Sequence, residues 1–379
     1  MPDSRLALLP TPCLILDEAK MMRNIDRLVV RAASLGISLR PHLKTTKSVD
    51  VARRLLTGGN GPATVSTLAE AEVFAAAGLR DILYAVGIAP QKLDRVIALR
   101  RQGCDLTVIL DSLEQAEAVA AASRAAGVAI PVLIEIDSDA HRGGFAPDDP
   151  TLIAVGRCLA DGAELRGVMT HAGESYNVAG SDAHAAFAER ERAAVVAAAE
   201  TLRCAGLPCP VVSVGSTPTA HAVRDLSGVT ELRAGVYVFF DLVMAGIGVC
   251  STDDIALSVL TTVIGHQPSR GWVLIDAGWM ALSRDRGTAA QAVDQGYGLV
   301  CDEAGTVLPD LIVTQANQEH GILACRPGST APLPDLPLGT RLRILPNHAC
   351  AMAAQHSNYH VLPADGAAAL VVWPRFGGW

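Results

Sequence analysis

The chain has 379 residues, of which 50% are hydrophobic and 18% are charged, and its net charge is −8. This composition predicts a compact globular protein with room for two domains and excludes a disordered chain. The negative charge and the lack of a long basic run exclude an extended nucleic-acid surface, although local charge still allows a small anionic ligand. No run of about 18 apolar residues is present, so no membrane span is predicted.

Nine cysteines are scattered along the chain at irregular spacing. An odd number without a dense framework is typical of reduced thiols, so we predict a cytoplasmic protein. The apolar stretch near the N-terminus is short and is broken by Pro10 and Pro12, which does not fit a secretory signal peptide.

The first predicted elements are a buried strand at 12–17 and a helix at 18–34 that Asp17 caps. Strand patterns and alanine-rich helix patterns then alternate regularly along the chain. Eight strands are predicted in this region, at 37–43, 63–67, 81–86, 105–110, 130–137, 165–171, 210–215 and 232–237. Eight strand–helix units close a parallel barrel, so we predict an α/β fold with a (β/α)8 barrel rather than an open doubly wound sheet.

The pattern changes after about residue 245, where alanine-rich helices disappear and glycine, proline and strand-forming runs become frequent. Segment 340–345 alternates polar and apolar residues, as a half-buried strand does. We therefore predict a barrel domain at 16–248 and a second, mostly β domain formed by 1–15 and 249–379.

Lys44 lies in a basic stretch, Arg-Pro-His-Leu-Lys-Thr-Thr-Lys at 40–47, where the first predicted barrel strand ends. Active-site residues of parallel α/β proteins lie at this edge of the sheet, where the strands end. A neutral lysine amine at this edge can form a Schiff base. The alternatives are an ordinary basic loop, or Lys47 in the same role.

Three further motifs follow later predicted strands: His-Arg-Gly-Gly at 141–144, His-Ala-Gly-Glu-Ser-Tyr at 171–176 and Gly-Ser-Thr-Pro-Thr at 215–219. The last is a small-residue turn that opens a helix, which is typical of a phosphate site, and residues 233–237 add a second small-residue approach. Taken singly, each motif also fits a helix cap or a hydrogen-bonded structural histidine. Together they outline a pocket with a lysine and an anion site, which is what pyridoxal 5′-phosphate requires.

His348 and Cys350 form a second candidate cluster. Residues i and i+2 of an extended segment point the same way, so this pair is predicted to bind one divalent metal and leave its other positions open. Imidazole with thiolate favours zinc, with manganese, cobalt or magnesium as alternatives. A buried cysteine beside a capping histidine is the competing interpretation, and the roles of Gln318, Glu319 and His320 stay open.

The combined motifs resemble the fold-type III pyridoxal-phosphate enzymes, and within them the metal-activated D-serine dehydratase and D-threonine aldolase group on an alanine-racemase-like barrel. The resemblance covers nearly the whole chain in order. Its longest stretches are 214–219, 233–244, 276–280, 283–288, 317–324 and 342–351. Aldolase members tend to pair the metal histidine with aspartate and dehydratase members with cysteine, so Cys350 favours a dehydratase.

The resemblance also implies roles for individual residues. Lys44 would carry the cofactor as a Schiff base and act as the catalytic base, and His348 and Cys350 would hold a metal that takes part in catalysis. The remaining cofactor contacts would be Arg142 at the phenolic oxygen, His171 near the ring, Tyr176 at the pyridine nitrogen, and Gly215, Ser216, Thr217, Gly235, Val236 and Tyr237 at the phosphate.

The activity implied by the resemblance is a hydro-lyase that depends on pyridoxal phosphate and a divalent metal. It would remove water from a D-3-hydroxy amino acid, with D-threo-3-hydroxyaspartate as the expected substrate and oxaloacetate and ammonia as products. The alternatives are a D-serine dehydratase, a D-threonine or 3-hydroxyaspartate aldolase that forms glycine and an aldehyde, a metal-independent racemase, and a cofactor carrier without turnover. A homodimer is expected, in which the partner's β domain completes each pocket.

Overall fold

The computed structural model describes residues 5–56, 58–366 and 369–379. The strands in these ranges are, in chain order, β1 (Cys13–Asp17), β2 (Ser38–Pro41), β3 (Ala63–Val65), β4 (Asp81–Gly87), β5 (Asp105–Leu110), β6 (Pro131–Ile136), β7 (Glu164–Thr170), β8 (Val211–Val214), β9 (Glu231–Ala234), β10 (Leu257–Gln267), β11 (Trp272–Ile275), β12 (Leu299–Asp302), β13 (Val307–Ala316), β14 (Gly321–Cys325), β15 (Arg341–Leu345), β16 (Asn358–Leu362) and β17 (Val371–Pro374). The α-helices are α1 (Glu18–Ser34), α2 (Val49–Leu55), α3 (Leu68–Ala76), α4 (Leu93–Arg101), α5 (Leu113–Ala126), α6 (Leu152–Gly162), α7 (Ser181–Cys204), α8 (Thr217–Ala222), α9 (Leu242–Gly246), α10 (Trp279–Leu282) and α11 (Ala349–Ala353).

The chain forms two compact units. The first, called the barrel unit, contains Arg27–Gly235 and Phe376–Trp379, and the second, called the β unit, contains Met1–Asp26 and Val236–Arg375. The sequence-based boundaries at 15/16 and 248/249 lie elsewhere. One reason is that residues just after the last barrel strand pair with later ones, since the N–H of Leu242 donates to the Pro346 carbonyl at 2.9 Å.

The barrel unit is built on eight parallel strands in the order β2-β9-β8-β7-β6-β5-β4-β3. A parallel bridge between His42 and Thr64, just beyond β2 and within β3, brings the two end strands together. The strands are apolar because both faces are covered, and β6 is buried at every residue. The structure therefore confirms the predicted α/β fold with a (β/α)8 barrel.

Helices α3 and α5 of the barrel unit start at residues whose side chains satisfy an exposed backbone N–H group. The Ser112 hydroxyl accepts the backbone N–H of Gln115 at 3.2 Å and so caps α5, which ends at Gly127 with a left-handed φ of 62°. Thr67 caps α3 in the same way. These two caps set the residues at which the loops before α3 and α5 end and the helices begin.

Charged side chains on the barrel strands pair with one another. Arg40 on β2 lies 2.7 Å from a carboxylate oxygen of Asp81 on β4 and 2.6 Å from one of Glu231 on β9. The Ser213 hydroxyl donates to Glu231, and Arg233 donates to Ser213. Because a buried charge is costly unless it is paired, this network ties four strands of the barrel together.

The β unit contains a nine-stranded, mostly antiparallel sheet in the order β11-β14-β13-β12-β15-β10-β1-β16-β17, in which β10 also pairs with β11. Strand β1 is an interior strand of this sheet, pairing antiparallel with β10 and parallel with β16. Its residues Cys13 and Ile15 pack with Leu6 and Leu260 in a buried cluster. The predicted second, mostly β domain is thereby confirmed.

All nine cysteines carry free thiols. Burial raises the pKa of the Cys13, Cys104 and Cys301 thiols to about 11, so these residues are packing groups rather than nucleophiles. Across the described ranges, no helix combines the length and the apolar character that a membrane span requires.

Candidate active site

Lys44 lies in the turn between β2 and α2, with an exposed side chain. Its backbone N–H donates to Nδ1 of His42 at 3.4 Å, and its Nζ has no carboxylate partner among the described residues. Lys47 differs, because its Nζ lies 3.1 Å from Oε1 of the buried Glu70. The two lysines of the basic stretch are thus separated by their surroundings, one available and one already paired.

Two histidines lie near the charge of Lys44. Burial and that charge lower the pKa of His171 to about 3 and hold the pKa of His42 well below its usual range. Nδ1 of His171 donates to the Gly215 carbonyl at 3.0 Å, because a carbonyl can only accept. His171 is therefore neutral near pH 7, with its proton fixed on Nδ1 and its Nε2 free to accept.

Arg142 and Tyr176 follow β6 and β7, respectively. The Arg142 side chain is 61% exposed, and its guanidinium lies 3.5 Å from Oε1 of Glu135, whose pKa is raised by burial. Tyr176 lies in the 3-10 turn Gly173–Asn177, with its ring centroid 6.3 Å from that of His171. Both predicted ring-contacting residues are on loops at the strand ends.

The turn at 215–217 has the features of an anion site. Ser216 and Thr219 form a reciprocal capping box at the start of α8. The Thr217 hydroxyl is buried and has no hydrogen-bond partner among the described residues. A Cβ atom added at Gly235 would lie 3.1 Å from the His42 Cβ, so a larger residue would require His42 to shift, and glycine leaves this approach open. An unpaired buried hydroxyl is costly, and a phosphate oxygen would satisfy it.

Val236 and Tyr237 belong to the β unit, in the 3-10 turn Val236–Val238. The Tyr237 hydroxyl is buried without a hydrogen-bond partner in the described ranges, and burial raises its pKa. Such a hydroxyl is neutral at physiological pH and retains a proton to donate.

Glu191 on α7 is a buried carboxylate that sequence reasoning did not single out. Its Oε1 accepts the backbone N–H of Gly215 at 2.8 Å and that of Ala172 at 3.2 Å, and burial raises its pKa. It therefore joins the loop after β7 to the turn after β8. The one signal in the sequence was its helical spacing from Ala188 and Val195, which places a charge on the apolar face of α7.

The segment carrying the predicted metal ligands does not have the extended form predicted for it. His348 is extended, but it is the N-cap residue of α11, so Cys350 lies in the first helical turn. The helix starts there because Asp241 accepts the backbone N–H of Ala349 at 2.9 Å. The prediction that spacing along a strand aligns the two side chains is wrong, although the side chains of His348 and Cys350 are in hydrogen-bonding contact.

Asp285 completes this cluster, although no sequence motif predicted a role for it. Its Oδ2 lies 3.2 Å from Nδ1 of His348, which donates to it. Burial opposes a charged ring, but Asp285 and Cys350 outweigh it and raise the pKa of His348 to about 11. Hydrogen bonding to His348 in turn lowers the pKa of Asp285. Imidazole and thiolate are ligands that zinc prefers, and a carboxylate at the other ring nitrogen is the usual partner of a ligating histidine, so the donor set fits a metal.

Asn347 holds the neighbouring segment in place. Its Oδ1 accepts from the Thr288 hydroxyl at 2.8 Å, and its amide donates to the carbonyls of Gly296 at 2.6 Å and Asp285 at 3.1 Å. In the ranges described, no three His, Cys, Asp or Glu side chains surround one common metal position. The cluster thus offers two ligands, His348 and Cys350, on a rigid support.

The polar cluster at 318–320 is an exposed turn between β13 and β14. The Asn317 carbonyl accepts the backbone N–H of Trp279 at 2.8 Å, and the Gln318 carbonyl accepts that of Met280 at 3.1 Å. The turn is therefore bound to the start of α10 through its backbone, and its side chains face outward.

Comparisons with known proteins cover the whole chain. Residues 16–243 match the family described as alanine racemase, N-terminal domain, and residues 256–362 match the putative serine dehydratase domain. The chain is 57% identical to D-threo-3-hydroxyaspartate dehydratase of Delftia sp. strain HT23, over 100% of both chains. The solved structure of that enzyme superposes with a TM-score of 0.96 over 99% of this chain and 100% of that one.

Two other relatives are more distant. The chain is 30% identical to D-serine dehydratase of Schizosaccharomyces pombe, over 98% of this chain and 92% of that one. It is 28% identical to 3-hydroxy-D-aspartate aldolase of Paracoccus denitrificans, over 96% of this chain and 91% of that one. The similarity therefore spans both kinds of reaction, elimination of water and carbon–carbon cleavage.

Proposed function

The chain belongs to the alanine racemase-like family of pyridoxal-phosphate enzymes, and we propose that it is a metal-dependent dehydratase of D-threo-3-hydroxyaspartate. The observation that carries the proposal is the contact between His348 and Cys350, in a chain that a dehydratase of this name matches from end to end. Solved structures of that relative include a histidine-to-alanine variant and, two positions further on, a cysteine-to-alanine variant in a metal-free form. His348 and Cys350 have the same spacing.

The residues of the barrel unit fit pyridoxal phosphate. Lys44 would attach it, and Gly215, Ser216, Thr217 and Gly235 would hold its phosphate, for which the unpaired Thr217 hydroxyl is the supporting observation. When bound, the cofactor supplies an electron sink for the charge left at Cα after proton removal. The assignments of Arg142, Tyr176, Val236 and Tyr237 stay predictions.

The metal would be held by His348 and Cys350. When bound, it supplies a Lewis acid for the β-hydroxyl, since hydroxide is otherwise a poor leaving group. Asp285 fixes the Nδ1 proton of His348 and so leaves Nε2 as the ligand atom. Soft thiolate beside imidazole favours zinc, with manganese, cobalt and magnesium as alternatives.

Two side chains of the barrel unit have defined roles in accepting or holding a proton in this proposal. Nζ of Lys44 would accept the α-proton, since no carboxylate among the described residues occupies it. His171 would stay neutral, because its pKa is about 3, and its Nδ1 proton is committed to the Gly215 carbonyl. The α-proton and the β-hydroxyl leave as water, and hydrolysis of the released imine then gives oxaloacetate and ammonia.

An aldolase is the second candidate, because a 3-hydroxy-D-aspartate aldolase also matches almost the full chain. It would break the Cα–Cβ bond of the same substrate and form glycine and glyoxylate. The resemblance of the cysteine ligand to those of dehydratase members favours elimination. D-serine dehydration, with pyruvate as the product, is the remaining substrate alternative.

Assembly and location are further parts of the proposal. We infer a homodimer, on the family resemblance. A cytoplasmic location is inferred from the nine free thiols, since oxidising compartments favour disulfides. A small-molecule substrate is the partner, as the net charge of −8 does not suit nucleic acid.

The decisive experiment is product analysis with D-threo-3-hydroxyaspartate, with and without a chelator. Metal-dependent oxaloacetate and ammonia would support the dehydratase, and glycine with glyoxylate would support the aldolase. His348→Ala and Cys350→Ala should each lose activity, whereas Cys325→Ala removes a thiol elsewhere in the β unit and should not. Full activity of His348→Ala without added metal would contradict the metal role.

A further inference from the structure

Arg284 is a cation of the β unit with no oxygen partner among the residues that the structure describes. Its side chain is exposed, and its guanidinium lies 4.2 Å from the centroid of the Trp279 ring. The five other arginines from 279 to 375 all contact an oxygen atom: Arg286 contacts Asp294, Arg326 the Asp294 carbonyl, Arg341 the Ala7 carbonyl, Arg343 the Ser258 hydroxyl and Arg375 the His356 carbonyl. Among the described residues of this segment, Arg284 alone keeps all its N–H donors available for a ligand.

The backbone around Arg284 is held rigidly. Ser283 has a positive φ of 74°, a backbone conformation that a non-glycine residue keeps only where its surroundings enforce it. Its N–H donates to the Trp279 carbonyl at 2.9 Å, and its hydroxyl accepts the N–H of Asp285 at 3.0 Å. The contact with the Trp279 ring restrains the guanidinium, and its N–H donors have no oxygen acceptor among the described residues.

Arg284 directly precedes the residue that supports the metal ligand. Asp285 accepts from Nδ1 of His348 at 3.2 Å, so Arg284 is the chain neighbour of the residue that contacts the metal ligand. In 3-hydroxyaspartate the hydroxyl and the second carboxylate are bonded to the same carbon. If the hydroxyl binds the metal, the second carboxylate must lie next to that cluster, where a planar fork of donors matches it.

We propose that Arg284 binds the distal carboxylate of the substrate and thereby selects 3-hydroxy amino dicarboxylates over D-serine. This inference rests on the proposed function and deepens it, because it names the group that reads the second carboxylate. D-Serine has a hydrogen atom in place of that carboxylate. For D-serine, the fork would stay solvated and contribute nothing.

Two amine-free compounds test the subsite without turnover. Malate is 3-hydroxyaspartate without its amine, so it keeps the hydroxyl and both carboxylates. 3-Hydroxypropionate is serine without its amine, so it keeps the hydroxyl and a single carboxylate. Calorimetry on the metal-loaded holoenzyme should show that malate binds at least about tenfold more tightly than 3-hydroxypropionate, as expected for a charge-assisted bidentate contact. That preference should shrink as salt is added.

Arg284→Gln should reduce the preference to about one- to threefold, and Arg284→Lys should retain part of it, since lysine keeps the charge and loses the fork. Arg270→Gln is the matched control. Arg270 is also exposed and lies 4.8 Å from the ring of Trp272, but on the turn between β10 and β11. That control should leave the preference intact.

Different results would contradict the Arg284 subsite and the proposed dehydratase function. A wild-type protein that binds the two compounds equally or binds neither, or an Arg284→Gln variant with the wild-type preference, would overturn the subsite. A protein with the Arg284-dependent preference that forms no oxaloacetate would keep the subsite and overturn the dehydratase. If D-serine is turned over, its kcat/KM should change less than about threefold in Arg284→Gln, whereas that for 3-hydroxyaspartate falls at least about tenfold.

Discussion

Oε1 of Glu191 accepts the backbone N–H of Gly215 at 2.8 Å, and His171 donates to the carbonyl of the same glycine at 3.0 Å. One buried carboxylate and one neutral imidazole therefore hydrogen-bond the N–H and the carbonyl of the glycine that opens the proposed phosphate turn. Gly215 has a φ of 138°, and a Cβ added there would collide with the Arg233 carbonyl. The turn is shaped by partners on other elements rather than by its own three residues.

Replacing Glu191 with alanine should destabilise the protein and weaken cofactor binding. The change leaves the N–H groups of Gly215 and Ala172 unpaired in a buried place, at about 1–3 kcal/mol each. Urea unfolding and cofactor titration check this. Glu191→Gln keeps an acceptor oxygen and should lose less. Glu189→Ala, which removes an exposed carboxylate paired with Arg192 on the same helix, should change stability by less than about 1 kcal/mol. Equal losses in the two alanine variants would refute the role of Glu191.

Asp285→Asn should weaken metal binding by about 10- to 100-fold, because it removes the charge that orients His348 and raises its basicity. Chelator competition on the protein without substrate measures this directly. Asp294→Asn is the control, since Asp294 pairs with Arg286 at 2.7 Å instead. An unchanged metal affinity in Asp285→Asn would mean that the 3.2 Å contact does not support the ligand.

His171 should make the protein less stable in acid. Its folded pKa of about 3 lies below the ordinary value of 6.5, so the unfolded chain binds the proton first. The free energy of unfolding therefore falls as the pH drops from about 6.5 towards 3. Between pH 7 and 5, wild type should lose about 1–2 kcal/mol more than His171→Gln in urea titrations. Parallel losses in the two proteins would exclude this neutral, buried imidazole.

Lys44 and Lys47 should respond differently to substitution. Lys44→Ala should abolish the absorbance of covalently attached cofactor, and reductive trapping of wild type should label the peptide that carries Lys44. Lys47→Met should keep the covalently attached cofactor. It should destabilise the fold by about 3 kcal/mol, because it leaves the buried carboxylate of Glu70 without its charged partner. Attached cofactor that survives Lys44→Ala and disappears in Lys47→Met would reverse the assignment.

The strands and helices of the barrel were predictable because their signals are local. The regular alternation of strand and helix patterns predicted eight strand–helix units that close a parallel barrel, and the eight parallel strands of the structure bear this out. The residues at which strands end were predicted less accurately. The first barrel strand was predicted at 37–43 but ends at Pro41, since Leu43, Thr46 and Lys47 close a turn through their backbone groups.

The form of the metal cluster was not predictable from spacing. Local sequence around His348 and Cys350 fits a strand as well as a turn, and the helix there starts because Asp241, 108 residues earlier, takes the N–H of Ala349. Asp285 lies 63 residues from His348, and no pattern links them. Roles of this kind depend on which distant groups meet.

The sequence by itself determined the eight strand–helix units, the second β domain, the basic stretch with Lys44 and the family that the motifs resemble. These properties depend on residue types at short spacing, which set backbone periodicity and local chemistry. Only the tertiary structure decided that Lys47 is paired, that Glu191 holds Gly215, that Asp285 supports His348 and that Arg284 has no oxygen partner among the described residues. Pairing and burial depend on contacts between distant segments, and those contacts exist only after the chain has folded.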